Sequence, residues 1–275
     1  MTWKEILVFA DGSTVGLTRA RLAAGLAIDE NAKVRLCTVA AIPAFAGENG
    51  FMSDVDMRDY MSRMARGDAA TMVDAILSAL PALAGRVDVE IAETELNSVD
   101  DVAASMGRRV DIIVLGQPDN ASAIHLEEAL FKGALFGSGR PCLMFPRWKK
   151  PLPWGRRILV AWKESPSAAR AMHDAIPLLK RANAVRIVAC AEAANAPGLN
   201  QLTEHLVRHA VPIEGCSRRQ EPGDAGEMIL EEGRLFGADL IVMGGYGHSR
   251  WRELIFGGAT ETVLRKSDLP VLYAH

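Results

Sequence analysis

The sequence predicts an α/β protein built from two tandem copies of a five-stranded parallel sheet with helices on both faces. Three observations support this fold class. The chain repeats itself once, each copy alternates short apolar runs with amphipathic segments, and a proline-rich stretch separates the copies. Continuous apolar runs are typical of strands buried on both faces, and alternating strands and helices form parallel sheets with right-handed crossovers.

The repeat is visible as matching segments that occur in the same order in both halves. The first strand and turn, KEILVFADGS from Lys4, reappear as RRILVAWKES from Arg156. A later run, VDIIVLGQ from Val110, reappears as ADLIVMGG from Ala238. Because this period is far longer than a solenoid repeat, it indicates a duplicated domain.

The segment PRWKKPLPWGRR, from Pro146 to Arg157, divides the copies. Proline lacks an amide hydrogen and fixes φ, so a regular helix is excluded there. The sequence therefore predicts a first domain at 1–146, a linker at 147–156 and a second domain at 157–275.

Within each copy, five runs rich in valine, isoleucine and leucine predict five strands. They are expected to begin near Glu5, Lys33, Arg86, Val110 and Pro141 in the first copy, and near Arg157, Ala184, Val211, Ala238 and Pro270 in the second.

Amphipathic patterns predict the main helices between these strands. They cover Thr18–Glu30 and Ser53–Leu80 in the first copy and Ser167–Ala182 in the second. A further helix follows Gly223, with its glutamates, Glu232 among them, expected to face outward. Ser13 and Ser165 are expected to cap the helices after the first strand of each copy.

The bulk composition excludes several classes of partner. A net charge of -3 and a pI near 6.1 provide no electrostatic footprint for nucleic acid or an acidic membrane. No apolar stretch is long enough to span a bilayer, and the first apolar run is too short for a signal peptide. The four scattered cysteines form no C-x-x-C pair, and the three that lie inside apolar runs are expected to be core thiols in a reducing compartment. These features predict a soluble cytoplasmic protein.

The stretch MGGYGHSRWRELIFGGATE, from Met243, is a glycine-rich turn between a strand and a helix that is expected to begin near Gly258. Bare backbone amides and a helix N-terminus favour negative charge, which predicts an oxyanion site. The alternative is that the glycines only form tight turns and a helix cap, and spacing alone leaves both open. Neither a P-loop nor a complete G-x-G-x-x-G motif is present.

Other combinations of residues that could carry chemistry are incomplete. His205 and His209 are four residues apart on a predicted helix, but no third zinc ligand is evident, so a solvated helix face is the preferred interpretation. No Ser-His-Asp set can be assigned. The sequence thus predicts neither a metal site nor catalytic residues.

The residues from Ala238 to His275 resemble the C-terminal half of a universal stress protein domain. That family has a G-x2-G-x9-G-[ST] signature after its fourth strand, which Gly244, Gly247 and Gly257 match. The resemblance implies a strand order of 3-2-1-4-5 in each copy. It also implies pairing through the fifth strands, here between the two copies of one chain as a pseudo-dimer, and leaves a further homodimer open.

Some members of that family bind ATP, with very weak or no hydrolysis, and others bind no nucleotide. In the first copy, Asp11 matches the acidic residue that faces adenosine and Val39 matches the adenine contact. However, Asp119 stands where the second glycine is expected, and Glu127 and Glu128 follow, so this region would repel a triphosphate.

The second copy retains the glycines but changes other positions. Lys163 replaces the aspartate, Cys190 replaces the adenine contact and Gly258 replaces the hydroxyl residue. From the resemblance, binding of an adenine nucleotide at this copy, as ATP with Mg²⁺, is the leading ligand hypothesis. The alternatives are a different anionic ligand or no ligand. The predicted site residues are Ala161, Lys163, Cys190, Gly244, Gly247, His248, Gly257, Gly258 and Thr260.

The resemblance as a whole implies a stress-response binding or regulatory module. One alternative is a slow ATPase or nucleotide-dependent enzyme, for which Glu253 and Glu261 are the acidic candidates inside the loop region. Another is a structural interaction protein whose pocket is plugged by Trp162, Arg250 or Trp251. The stress and the partner are not encoded in any motif.

Overall fold

A computed structural model describes residues 2–42, 54–80, 85–118, 125–190, 197–219, 224–245 and 258–275. The chain forms two compact units. One unit comprises Trp3–Arg140 with Arg147–Pro151, and the other comprises Met1–Thr2, Pro141–Pro146 and Leu152–His275. The domain boundaries at 146 and 157 remain a prediction from the repeat.

The first unit contains a parallel sheet of strands β1 to β4 in the order β3-β2-β1-β4. Its helices connect successive strands, as expected for βαβ units. The strands are β1 Glu5–Phe9, β2 Lys33–Ile42, β3 Val87–Glu95 and β4 Ile112–Gly116, and the helices are α1 Thr14–Glu30, α2 Asp54–Ser78, α3 Val99–Gly107 and α4 Leu126–Lys132.

The second unit contains the remaining strands in the order β5-β10-β9-β6-β7-β8. The strands are β5 Cys142–Phe145, β6 Arg157–Trp162, β7 Ala184–Cys190, β8 Ile213–Arg219, β9 Leu240–Gly244 and β10 Val271–Ala274. The helices are α5 Pro166–Asp174, α6 Ile176–Leu179, α7 Pro197–Arg208, α8 Ala225–Phe236 and α9 Gly258–Lys266.

The α/β fold class is confirmed, and the strand order identifies how the copies pair. The second copy has the predicted 3-2-1-4-5 order, with β8-β7-β6-β9-β10 parallel throughout. Strand β5, the fifth strand of the first copy, lies antiparallel against β10, the fifth strand of the second, with Leu143 opposite Leu272. This confirms pairing through the fifth strands within one chain.

In each copy, an equivalent aspartate before the fourth strand binds the amino end of the first strand. Asp111, before β4, accepts hydrogen bonds from the backbone amides of Lys4 and Glu5 at 2.6 and 3.0 Å. Asp239, before β9, accepts them from Arg156 and Arg157, each at 2.9 Å to Oδ1. This repeated contact allows equivalent positions of the two copies to be matched.

Helix caps agree with the sequence, whereas one predicted helix is divided. The Ser13 hydroxyl accepts from the amide of Gly16, and the Ser165 hydroxyl accepts from the amide of Ala168. The helix predicted at Ser167–Ala182 is two helices, α5 and α6, with Pro177 in the first turn of α6. Proline is tolerated only at a helix start, so it sets this division.

The expectation that Glu232 faces outward is wrong. Its side chain is buried, and the Ser217 hydroxyl donates to Glu232 Oε2 at 3.2 Å. The amphipathic pattern of α8 suggested an outward position because the pattern records polarity, and it does not reveal a polar partner on a neighbouring strand.

Two of the cysteines in apolar runs, Cys37 and Cys142, are confirmed as core thiols because both are fully buried. Cys216, which does not lie in an apolar run, is exposed. Burial raises the pKa of Cys37 to about 12, with the charge of Glu90 acting in the same direction. Burial also raises the pKa of Cys142. Among the described parts of the chain, no helix is both long and apolar enough to cross a membrane.

Candidate functional site

The predicted ligand side of the second copy is the edge where its parallel strands end. Parallel registers place Ala161 opposite Met243 and Trp162 opposite Ala189. Lys163, Gly244 and the backbone of Cys190 therefore follow at the same edge of three adjacent strands. Ligands in open α/β sheets bind beyond this edge, where the strand order reverses, and here the reversal lies between β6 and β9.

Of the predicted site residues at this edge, Lys163 is exposed and Ala161 is buried. Thr260 is buried in the first turn of α9, at 6% exposure. The carboxylate of Glu261, a candidate for hydrolysis, accepts from Arg265 Nε at 2.8 Å along the same helix.

Gly244 is bare because the second copy packs closely there. A Cβ at this position would lie 2.6 Å from the amide nitrogen of Ala168 and 2.8 Å from Ser167 Oγ. These atoms form the start of α5, which is held by the Ser165 cap. The close approach of strand and helix is sufficient to require glycine at this position.

The main chain of Gly245, the residue after Gly244, already forms contacts within the protein. The amide of Gly245 donates to the carbonyl of Ala274 at 2.8 Å. The carbonyl of Gly245 lies 3.0 Å from His275 Nδ1. At this described end of the glycine stretch, the backbone therefore extends the β9–β10 ladder, and the amide of Gly245 is not available to an oxyanion.

The other described end of the stretch is the start of α9, as predicted. Gly258 is exposed there, and a Cβ on it would be 3.7 Å from Asp224 Oδ1, an ordinary contact. Asp224 caps α8 through the amide of Gly226, and its Oδ2 accepts from the Thr262 hydroxyl. A carboxylate from another helix thus lies beside the positive end of the α9 dipole.

Sequence reasoning missed Asp224 and Thr262. Asp224 directly precedes a predicted helix, and from the sequence alone an aspartate at that position indicates only a helix N-cap. Its contact with α9 depends on the packing of two helices, where a Cβ on Gly226 would come 2.5 Å from Thr262 Cβ.

Several predicted residues lie outside the described part of the chain. Gly247, His248 and Gly257 of the predicted site are among them. So are Asp119 of the first copy, Glu253 of the enzyme hypothesis, and Arg250 and Trp251 of the plugged-pocket hypothesis.

In the first copy, the acidic residue of the first turn is tied to its own helix start. Asp11 Oδ1 accepts from the amide of Ser13 at 2.9 Å and from the Ser13 hydroxyl. A Cβ on Gly16 would lie 2.2 Å from Asp11 Oδ1 and 2.4 Å from the Asp11 carbonyl. The turn therefore closes on Asp11, which explains the glycine at position 16.

The first copy also holds a buried arginine that the sequence analysis did not single out. Arg19 of α1 is 6% exposed, and its Nη1 would be 1.6 Å from a Cβ on Gly116, the last residue of β4. Burial lowers the pKa of Arg19, and the negative charges of Asp11 and then Glu127 oppose that shift. The charge of Arg147 lowers the pKa further.

The sequence carried only a weak signal for Arg19. Its neighbours at the helical spacing, Val15, Leu22 and Ala23, are apolar, so a charged residue stands on the face that packs on the sheet. Such a position indicates that the charge is buried. It does not indicate which strand end the side chain faces.

The histidine pair behaves as a helix-surface feature. His205 and His209 rings are edge to face, with centroids 4.7 Å apart. Within the described residues there is no group of three or more histidine, cysteine, aspartate or glutamate side chains able to hold a metal ion.

Comparison with known proteins gives a family match to the second half. Residues 155–275 match the universal stress protein family. Stress response protein NhaX of Bacillus subtilis is 44% identical over 50 residues, which are 18% of this chain and 30% of that protein. Universal stress protein Slr1230 of Synechocystis is 46% identical over 50 residues, 18% of this chain and 17% of that protein. The matched stretch thus spans less than a third of either relative.

Solved structures resemble the chain over nearly its whole length. A universal stress protein from Archaeoglobus fulgidus has a TM-score of 0.70 at 19% identity, covering 98% of this chain and 95% of that one. A functionally unknown protein from Pseudomonas aeruginosa has a TM-score of 0.61 at 16% identity, covering 99% and 92%. At these identities the similarity establishes the fold.

Proposed function

We propose, from the premise that residues 155–275 of this chain belong to the universal stress protein family, that the protein is a cytoplasmic stress-response binding module. Its second copy takes an adenine nucleotide at the carboxyl edge of its sheet, and binding rather than rapid turnover is its function. The observation that carries the proposal is the register of β7, β6 and β9, which brings Cys190, Lys163 and Gly244 to one edge.

Lys163 decides how the nucleotide is held in this proposal. An ammonium group donates hydrogen bonds and accepts none, so it cannot replace the acidic contact to the ribose hydroxyls. It suits a phosphate oxygen instead, through a charge-assisted hydrogen bond. The phosphates, together with Lys163 and the start of α9 at Gly258, would therefore share one region of the edge.

Asp224 makes Mg²⁺ part of the proposal. Its carboxylate lies beside Gly258, where it would repel a phosphate placed at the N-terminus of α9. A divalent cation shared with the phosphates would neutralise that repulsion, because Mg²⁺ is bound through carboxylate and phosphate oxygens. We therefore expect ATP to bind more tightly with Mg²⁺ than without it.

Equilibrium dialysis of the full chain with labelled ATP, with and without Mg²⁺, tests the proposal. Lys163→Gln should weaken binding by about tenfold or more, since a hydrogen bond to a charged group contributes roughly 1.5–3 kcal/mol. Lys180→Gln is the matched control, because Lys180 is exposed before β7 and so lies at the opposite edge of the sheet. Absence of saturable binding would refute the nucleotide proposal and favour the structural interaction protein.

A single-turnover phosphate-release assay on the same samples separates binding from hydrolysis. The proposed binding module should release no phosphate beyond the rate of a protein-free sample. Release that Gly247→Val abolishes would favour the slow ATPase instead.

A further inference from the structure

The first copy contains a buried cation, Arg19, whose side chain donates no hydrogen bond to the residues that the structure describes. Arg19 is 6% exposed, and its Nε is buried without a hydrogen-bond partner among the described residues. In that part of the chain, Arg19 also forms no ion pair within 4.0 Å. A guanidinium group has five donor hydrogens in a planar fork, so this side chain is far from satisfied.

The place where Arg19 lies is the ligand side of the sheet. Its Nη1 lies over Gly116, the last residue of β4, so closely that a Cβ there would be 1.6 Å away. Strand β4 is next to β1, and the strand order of this copy reverses between the two. Arg19 is thus held at the crevice where open α/β sheets bind ligands.

A buried charge without a partner is costly, and proteins normally pair it or bind an ion there. The carboxylates of Asp11 and Glu127 lie near enough to favour the charged form of Arg19. However, Asp11 Oδ1 is already engaged by the amide and hydroxyl of Ser13. The charge of Arg19 is therefore balanced at a distance, while its donors remain available.

We propose that Arg19 is the anchor of a small-oxyanion site in the first copy, at the carboxyl ends of β1 and β4. The ligand is a carboxylate or a phosphate group small enough to lie in the plane of the guanidinium and accept two hydrogen bonds from it. This site is separate from the nucleotide proposal, which concerns residues of the second copy.

The charges that act on Arg19 favour a ligand of low charge. Arg147 adds a second positive charge that acts on Arg19, while Asp11 and Glu127 add two negative ones. The four formal charges cancel, so the site does not compensate the charge of a triphosphate. An anion of one or two charges matches it better, because each further charge meets two carboxylates.

The test measures binding of inorganic phosphate and of acetate to the full chain by isothermal titration calorimetry and by the side-chain Nε–Hε NMR signal of Arg19. We expect saturable binding of one of these anions below about 10 mM, and a shift of that signal with the same midpoint. Arg19→Gln should weaken the affinity by about tenfold or more, the loss expected for hydrogen bonds to a charged group. Glu127→Gln should increase the affinity, because it removes a repelling charge.

Arg21→Gln is the matched control, since Arg21 is exposed on the same helix and its replacement changes the net charge equally. The control should bind phosphate or acetate as the unchanged protein does. Equal affinity of the Arg19 and Arg21 variants, or no saturable binding of either anion, would overturn the proposal. Should Arg19→Gln fail to fold, the NMR signal of the unchanged protein decides, because a signal that neither anion shifts also overturns it.

Discussion

Replacing Gly244 with alanine separates the two explanations for the glycine stretch. If Gly244 is bare only to admit a ligand, an added methyl group should reduce binding and leave the stability of the free protein unaffected. The structure instead predicts that the added methyl group destabilises the free protein. The new Cβ would meet the amide nitrogen of Ala168 at 2.6 Å and Ser167 Oγ at 2.8 Å.

The size of the stability loss depends on how far the neighbouring atoms of α5 can move. Ordinary contact begins at 3.4 Å, so the start of α5 must move by about 0.8 Å or strain its cap on Ser165. Overpacking of this kind costs typically about 1–3 kcal/mol. Alanine also stabilises the folded state by roughly 0.5–1 kcal/mol, because it lowers the conformational entropy of the unfolded chain. We expect a net loss of about 1–2 kcal/mol in the free energy of unfolding.

Gly258→Ala is the internal control, because the nearest described atom would be Asp224 Oδ1 at an ordinary 3.7 Å. This substitution should stabilise the protein slightly, by up to about 1 kcal/mol, since alanine favours a helix. Urea unfolding followed by tryptophan fluorescence and circular dichroism measures both variants. If Gly244→Ala proves as stable as the unchanged protein, the packing argument is wrong and the ligand explanation for that glycine is strengthened.

Further predictions concern other positions. Asp224→Asn should raise the affinity for ATP in the absence of Mg²⁺ and reduce the benefit of adding Mg²⁺, as measured by dialysis; an unchanged Mg²⁺ dependence would place the phosphates away from α9. Gly16→Ala should cost at least about 2 kcal/mol, because its Cβ would lie 2.2 Å from Asp11 Oδ1, whereas Gly25→Ala on the same helix meets nothing within 4 Å and should be neutral or stabilising. Burial raises the pKa of the Cys37 thiol from its ordinary value of 9.0 to about 12 in the folded protein. The stability that Cys37 contributes is therefore complete below about pH 9 and is lost as pH rises towards 12. Cys37→Ala should therefore lose less stability between these pH values than Cys216→Ala, and equal slopes in urea titrations would contradict this assignment.

The sequence predicts the scaffold well because the scaffold depends on repeated, local patterns. Each strand begins within two residues of its expected start, for example β1 at Glu5 and β8 at Ile213. The caps at Ser13 and Ser165 were also predictable, because a hydroxyl before an apolar-periodic run has one common use. The division at Pro177 was missed since a strong helical pattern on both sides outweighed the proline.

The residues at the two candidate ligand edges were harder to predict, because their contacts join segments that are distant in sequence. Asp224 and Thr262 meet across 38 positions of sequence, through the packing of α8 on α9. Arg19 of α1 reaches Gly116 at the end of β4, a contact between segments that are far apart in the sequence. A glycine motif records where side chains are excluded, but it does not distinguish exclusion by a ligand from exclusion by protein atoms.

The two copies carry their cation at different positions of the edge where the strands end. The register set by Asp111 and Asp239 makes Lys163 equivalent to Asp11 and Ala171 equivalent to Arg19. Each edge therefore has a cation, but it stands on the helix in the first copy and in the strand-end turn in the second. The second-copy equivalent of Arg19, Ala171, is small and fully buried.

The different burial of these two cations leads to a different dependence on salt. Lys163 is exposed, so its attraction for phosphate is screened over a Debye length of about 8–10 Å at moderate ionic strength. Arg19 is shielded from solvent and is screened much less. Raising sodium chloride from about 0.05 to 0.5 M should therefore weaken ATP binding in dialysis more than phosphate or acetate binding in calorimetry. Parallel losses in the two titrations would show that the anchors are equally exposed in solution, and would contradict the assignment of one buried and one surface cation.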